Sequence, residues 1–160
     1  MMLAAAAARG DGGLLRVTAA AGPFEISIFT APTPLRVGAA DVSAMVFERV
    51  SRAPVLDADV RLTMRRGALE RTAVATRETA TNKLLYAAWI DIPEAGAWTL
   101  EASVHSSAGE GVVSSGLDVA ESLPPAVVFW PYLVLPAIAI VLFSVHQWLK
   151  RFGRSERSGR

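Results

Sequence analysis

Through most of this chain the apolar side chains fall at every second position, and that period decides what the chain can become. Phe24, Ile26 and Ile28 alternate with Glu25 and Ser27, and Ala58, Val60, Leu62 and Met64 alternate with Asp59, Arg61, Thr63 and Arg65. In an extended strand successive side chains point to opposite faces, so each run has one dry face and one wet face. Tyr86, Ala88, Ile90 and Ile92 form a further dry set, followed by "PEAG" at 93–96 and a returning set of Trp98, Leu100, Ala102 and Val104. Two alternating runs about a short turn predict a β-hairpin there. Leu15–Ala19, Asp41–Phe47, a weaker Thr72–Glu78 and Val112–Val119 are the remaining candidate strands, and no stretch before Leu123 carries a long helical stripe. About eight short strands in one domain predict an all-β fold, an immunoglobulin-like antiparallel β-sandwich, here over residues 14–120.

Proline punctuates this pattern. Pro32 and Pro34 in "FTAPTPLRVG" have no N–H for a sheet ladder, so they belong at an edge, a bulge or a crossing between sheets, where their fixed φ makes a stiff bridge. Gly38 then permits a tight turn, and Pro54 in "SRAPVLDADV" repeats the device. Residues 121–125, within "ESLPPA", make a stiff linker out of the sandwich.

Behind that linker the period disappears. Residues 126–149 carry no formal charge over 24 positions, and at 1.5 Å per residue a helix of that length spans about 36 Å against a hydrocarbon core of about 30 Å. One C-terminal transmembrane helix is expected. Trp130 and Tyr132 near one end and Trp148 near the other suit the two interfaces; Pro131 suits a first helical turn, and Pro136 a kink or a late start. Ser106–Pro125 holds no Lys or Arg, whereas Lys150, Arg151, Arg154, Arg157 and Arg160 crowd the tail of 150–160. The positive-inside rule puts that tail in the cytoplasm and residues 14–120 outside, periplasmic or extracellular. Residues 1–13, with the apolar run Met1–Ala8, read either as a truncated signal peptide or as an Ala-rich start.

The charges elsewhere narrow the function. The net charge of +1 hides a segregation, since between Arg9 and Glu121 the acids outnumber Lys and Arg 14 to 11. An exported, mildly acidic domain is no partner for nucleic acid. The chain has no cysteine, which excludes disulfides and thiolate chemistry. Ser, Asp and His105 occur without an ordered motif of nucleophile, base and orienter, so no catalytic residue is assigned and no enzyme is expected. "GDGG" at 10–13 and "GEG" at 109–111 lack a following helix and do not cradle phosphate. Asp57 and Asp59 would share a strand face near a turn, where solvation outweighs a bridging cation. Arg61, Arg65, Arg66, Arg71 and Arg77 lie close in sequence across one hairpin and offer a patch for an anionic lipid or acidic partner, with an ordinary charged face as the default.

Three stretches together resemble the YtkA-like domain family: "GPFEISIFTAPTPLRVGAADVSAMV" at 22–46, "APVLDADVRLTM" at 53–64 and "YAAWIDIPEAGAWTLEASV" at 86–104. The resemblance implies a small exported bacterial domain of immunoglobulin-like fold, often membrane-tethered, whose relatives keep company with copper-handling and respiratory-oxidase proteins. A protein-interaction or assembly accessory is the expected role, and a copper-handling accessory the alternative. Copper would need soft thioethers or imidazoles gathered at one place. Met64 continues the dry phase of Val60 and Leu62 and belongs in the core. Met45 shares a face with Ser43 and Phe47 and packs on one side of its sheet or the other. His105 ends a wet face, and His146 sits by Gln147 and Trp148 at the cytoplasmic end of the helix. The segment after "DADV" is "MRRGALERT", without a second thioether, so no metal ligand and no cofactor are assigned.

Overall fold

The computed structural model describes residues 13–155; within its last element the side chains at 125–129, 131, 133, 137 and 149–155 are outside that description. The expectations placed on residues 1–12 and 156–160 lie outside the described residues. The chain divides into two units, Met1–Ser122 and Leu123–Arg160.

Eight strands form in the first unit: β1 (Leu14–Ala21), β2 (Phe24–Ala31), β3 (Gly38–Glu48), β4 (Asp59–Arg66), β5 (Leu69–Ala75), β6 (Leu85–Ile92), β7 (Gly96–Ser106) and β8 (Gly109–Val119); β5 lies earlier than the expected Thr72–Glu78, because the chain turns away after Ala75 into the connector to β6. They make two four-stranded antiparallel sheets, ordered β1-β2-β3-β6 and β5-β4-β7-β8. The dry positions of both sheets form a single core. Phe24, Ile26 and Ile28 meet Val42, Val46 and Ile90 from the first sheet and Val60, Leu62, Met64, Trp98 and Leu100 from the second. Burying a side chain of this size stabilises the fold by roughly 1.5–3 kcal/mol, which is why the period-two phase holds along every inner strand.

One connection differs from expectation, and the proline bridge settles on one of the alternatives left open. β6 and β7 lie in different sheets, so 93–95 is an arch across the core and not a hairpin. Tyr86, Ala88, Ile90 and Ile92 face Trp98, Leu100, Ala102 and Val104 across the interior, and the Trp98 indole N–H donates to the Glu94 carbonyl at 3.0 Å, fastening the arch. The proline bridge joins β2 to β3, neighbours in the same sheet, so it is a loop at the end of one sheet and not a crossing between two. Both Ala31–Pro32 and Thr33–Pro34 are cis. The bridge returns Leu35 to the core and pairs with the end of β8 through Val37 N–H to Ala120 C=O at 3.0 Å and Ala120 N–H to Leu35 C=O at 2.8 Å. Pro54 does serve a crossing: Val55 N–H donates to Val46 C=O at 2.9 Å before the chain passes to β4 in the other sheet. There Tyr86 acts as a clasp, its hydroxyl donating to Val55 C=O at 2.9 Å and accepting from Ala58 N–H at 3.0 Å.

β1 approaches β8 closely, and the glycines of "GEG" explain how. A Cβ on Gly111 would stand 2.5 Å from the Ala21 carbonyl oxygen, so that position holds the close approach of the two backbones. Gly109, at φ 131, makes the β7–β8 turn.

In the second unit, α1 (Pro125–Ser155) is an α-helix of 31 residues. Pro131 therefore lies beyond its first turn, a correction to the sequence expectation. The apolar side chains of Trp130, Leu135, Ile140, Leu142 and Phe143 are exposed. Ser144 returns its hydroxyl to the Ile140 carbonyl at 2.8 Å. Among the described residues no helix is long and apolar enough to cross a membrane. The expected span over 126–149 thus coincides with helical backbone but not with a span identified among those residues.

Two substitutions test this architecture. Tyr86→Phe strands the Ala58 N–H and the Val55 C=O and should cost about 1–3 kcal/mol, read as a lower denaturant midpoint at unchanged slope. Gly111→Ala forces β1 away from β8 and should cost about 1–3 kcal/mol, with amide exchange rising first in β1.

Candidate functional site

Once the inner faces are sealed, chemistry is left to the outer faces, and the two differ. The outer face of β1-β2-β3-β6 is partly roofed: Ala80, from the connector between β5 and β6, is buried with Leu85 and Ala87, and Phe29 and Met45 pack against them. The outer face of β5-β4-β7-β8 carries no such cluster among the described residues.

On that second sheet the register sets side chains in cross-strand rows. Val74, Arg61, Ser103 and Val112 form one row, and Asp59, His105 and Glu110 the next. Together they line an open groove of about 430 Å³. Val74 and Val112 are exposed at 64% and 57%. The His105 Nδ1 lies 3.0 Å from Glu110 Oε1, the geometry of a ring N–H donating to a carboxylate. Ser103 directs its hydroxyl to the Arg61 carbonyl at 3.5 Å, so it is not presented to His105 as a nucleophile.

The arginines expected as one patch are dispersed by their partners. Arg65 spans Glu70 at 2.9 Å and Glu101 at 3.1 Å. Arg66 pairs with Glu94 at 2.8 Å, and Arg71 donates to the Glu70 carbonyl at 3.0 Å. Arg77 is turned to the carbonyls of Lys83 at 2.7 Å and Leu56 at 2.8 Å. Among the described residues Arg61 has no hydrogen-bond or ion-pair partner for its guanidinium. Sequence proximity missed this because pairing depends on β7 and the β6–β7 arch, tens of residues away.

The residues weighed for copper are also separated. Met64 is fully buried in the core, Met45 packs on the outer face of the first sheet, and His105 stands on the outer face of the second. Asp59 is brought beside His105 by register, whereas Asp57 precedes β4. His146 is an exposed residue of α1 in the other unit. Among the described residues no group of three or more His, Cys, Asp or Glu is arranged to hold a metal ion.

Among the described residues three ionisable groups depart from their ordinary values. The hydrogen bond from Arg65, then its charge, holds the Glu70 carboxyl below the usual range, and the bond to Glu70, helped by Glu101, holds Arg65 above its own. Both groups are solvated at the surface, so the pair orients β5 on β4 rather than anchoring the fold. Burial raises Asp41, which sits at an outward-facing register position of β3 opposite Trp89.

The sign for Asp41 follows from its raised value. Its native environment favours the protonated form, so its stabilising share is complete below the ordinary carboxylate range and is lost as pH rises through the raised value. Asp41→Asn should therefore be more stable than the parent chain at neutral pH in chelator-treated buffer, with the gap closing in acid. Thermal midpoints of both chains across that range check it.

Compared with known proteins, the chain matches no protein-family model, no curated protein and no solved structure.

Proposed function

We propose that this chain is a single-pass membrane protein that holds an immunoglobulin-like sandwich outside the cytoplasm, on the periplasmic or extracellular side, as a protein-interaction or assembly accessory. The likeness to the YtkA-like family over 22–46, 53–64 and 86–104 is consistent with that role. So is the strand order: β3 beside β6 and β4 beside β7 match the B–E and C–F neighbours of immunoglobulin domains, although β5 joins β4 instead of the opposite sheet. Membrane anchoring is supported by the 24 uncharged residues at 126–149, by helical backbone over the same positions, and by the basic flank from Lys150 onward.

One observation carries the interaction role, the uncovered outer face of β5-β4-β7-β8. Arg61, without a partner among the described residues, stands there in a row that ends in two exposed valines, in a groove of about 430 Å³. Apolar flanks around a free guanidinium suit a partner segment that offers a carboxylate between small apolar groups. Nothing comparable favours copper handling, because Met45, Met64 and His105 lie in three separate environments.

The test uses the full chain in its native membrane. Arg61→Glu should lower recovery of cross-linked membrane partners about tenfold or more, since reversing one interfacial charge costs several kcal/mol. Unchanged recovery of every partner would refute the interaction role. Trypsin added to spheroplasts should cut near Arg49 and Arg52, beside the 94%-exposed Val50. Cleavage confined to the arginine-rich tail would reverse the proposed orientation.

A further inference from the structure

The connector from Thr76 to Leu84 is a strap over the first sheet. Thr76 and Ala87 exchange backbone hydrogen bonds at 2.9 and 3.0 Å, fixing one end of it to β6. The Thr79 hydroxyl donates to the Ala87 carbonyl at 2.9 Å, and Asn82 Oδ1 accepts from Leu84 N–H at 3.0 Å. Lys83 Nζ turns inward on the strap itself, donating to the carbonyls of Arg77 at 3.2 Å, Glu78 at 3.1 Å and Ala80 at 2.8 Å.

Between strap and sheet lies a hollow of about 60 Å³, lined by Asp41 and Ser43 of β3 and by Thr79, Thr81 and Asn82 of the strap. The Asp41 Oδ1 atom is fully buried and has no hydrogen-bond partner; no other buried side-chain oxygen or nitrogen among the described residues is left so. A carboxylate oxygen removed from water without a donor or counter-charge is costly. The cations on the strap do not supply one. Lys83 is spent on three carbonyls and Arg77 on the carbonyls of Lys83 and Leu56. No ion pair involves Asp41 among the described residues.

The other polar linings add hydroxyl and amide oxygens, so the hollow has one negative charge, several neutral oxygen donors and no sulfur or imidazole. That donor set is hard, and selects hard cations over copper or zinc. A volume of about 60 Å³ admits one small ion with a water or two, because a water's share is about 30 Å³, and it excludes organic ligands. We propose that this hollow binds a small hard cation of the calcium class, with Asp41 as its charged ligand and the strap oxygens around it, pinning Thr76–Leu84 to the sheet. A single carboxylate places the affinity in the weak range of extracellular modules, about 10⁻⁴–10⁻³ M. The site stands on the geometry of the sandwich and holds or fails apart from the membrane and partner assignments above.

The experiment uses the full chain in detergent, stripped with chelator and titrated with CaCl2 at constant ionic strength. The thermal midpoint should rise and saturate, and trypsin cleavage after Arg77 or Lys83 should slow several-fold. Terbium added in place of calcium should luminesce on excitation of tryptophan, since Trp89 is the cross-strand partner of Asp41; Trp89→Phe should lose that emission but keep the calcium-dependent midpoint. Asp41→Asn should abolish every response, and Thr81→Val should shift the calcium response to higher concentration, since the number of oxygen ligands helps set affinity. Asp91→Asn, on the same outer face but outside the hollow, should respond like the parent. No calcium response up to about 10 mM, beyond the weakest range of oxygen sites, would overturn the proposal, as would equal responses in the parent and Asp41→Asn.

Discussion

Everything in the sandwich depends on excluding water from between two sheets that each have only one dry face. Phe24, Ile26 and Ile28 on one side and Leu62, Met64 and Leu100 on the other are fully buried against this common interior. At about 25 cal/mol per Å² of apolar surface, that interior outweighs any single surface interaction in the molecule. Its hold on the strands also explains why the ion pairs of Arg65, Arg66 and Arg52 are all peripheral. They adjust neighbouring strands and loops whose positions the interior has already set.

The strands were legible because their signal is local. A period of two in "FEISIF" or "DVRLTM" needs no knowledge of what lies opposite, and those residues are β2 and β4. Partnership is not local. "PEAG" satisfies a hairpin and an arch equally well, and the alternation on either side is identical in the two cases. What separates them is that β3 already flanks β6 while β4 flanks β7. Proline behaved similarly: Pro32 and Pro34 were readable as a break in the ladder, but whether the break joins one sheet or two is settled by where Leu35 can be buried and where Ala120 finds its hydrogen bonds.

The candidate surfaces were less legible still, and for the same reason. The arginine-rich stretch from Arg61 to Arg77 looks like one basic patch along the chain. In three dimensions the glutamates at 70, 94 and 101 pair with Arg65 and Arg66, Arg71 and Arg77 turn to backbone carbonyls, and only Arg61 of the five has no partner among the described residues. Asp41 gave no warning at all. In "DVSAMVFE" it is an ordinary wet position of an alternating strand, and it becomes an orphan only because a strap some forty residues later closes over it.

The asymmetry between the two outer faces ties these points together. The first sheet, already dry on its inner side, covers part of its other face by folding the β5–β6 connector back as a roof, with Ala80, Leu85 and Ala87 as a small second core. The second sheet carries no such roof among the described residues, and its outer face is polar except where Val74 and Val112 interrupt it. Those two valines stand at the opposite ends of one row, on the edge strands β5 and β8. The proposed recognition on this face rests on their position beside the Arg61 guanidinium, which has no partner among the described residues, while the proposed cation site lies on the other face, in the hollow at Asp41.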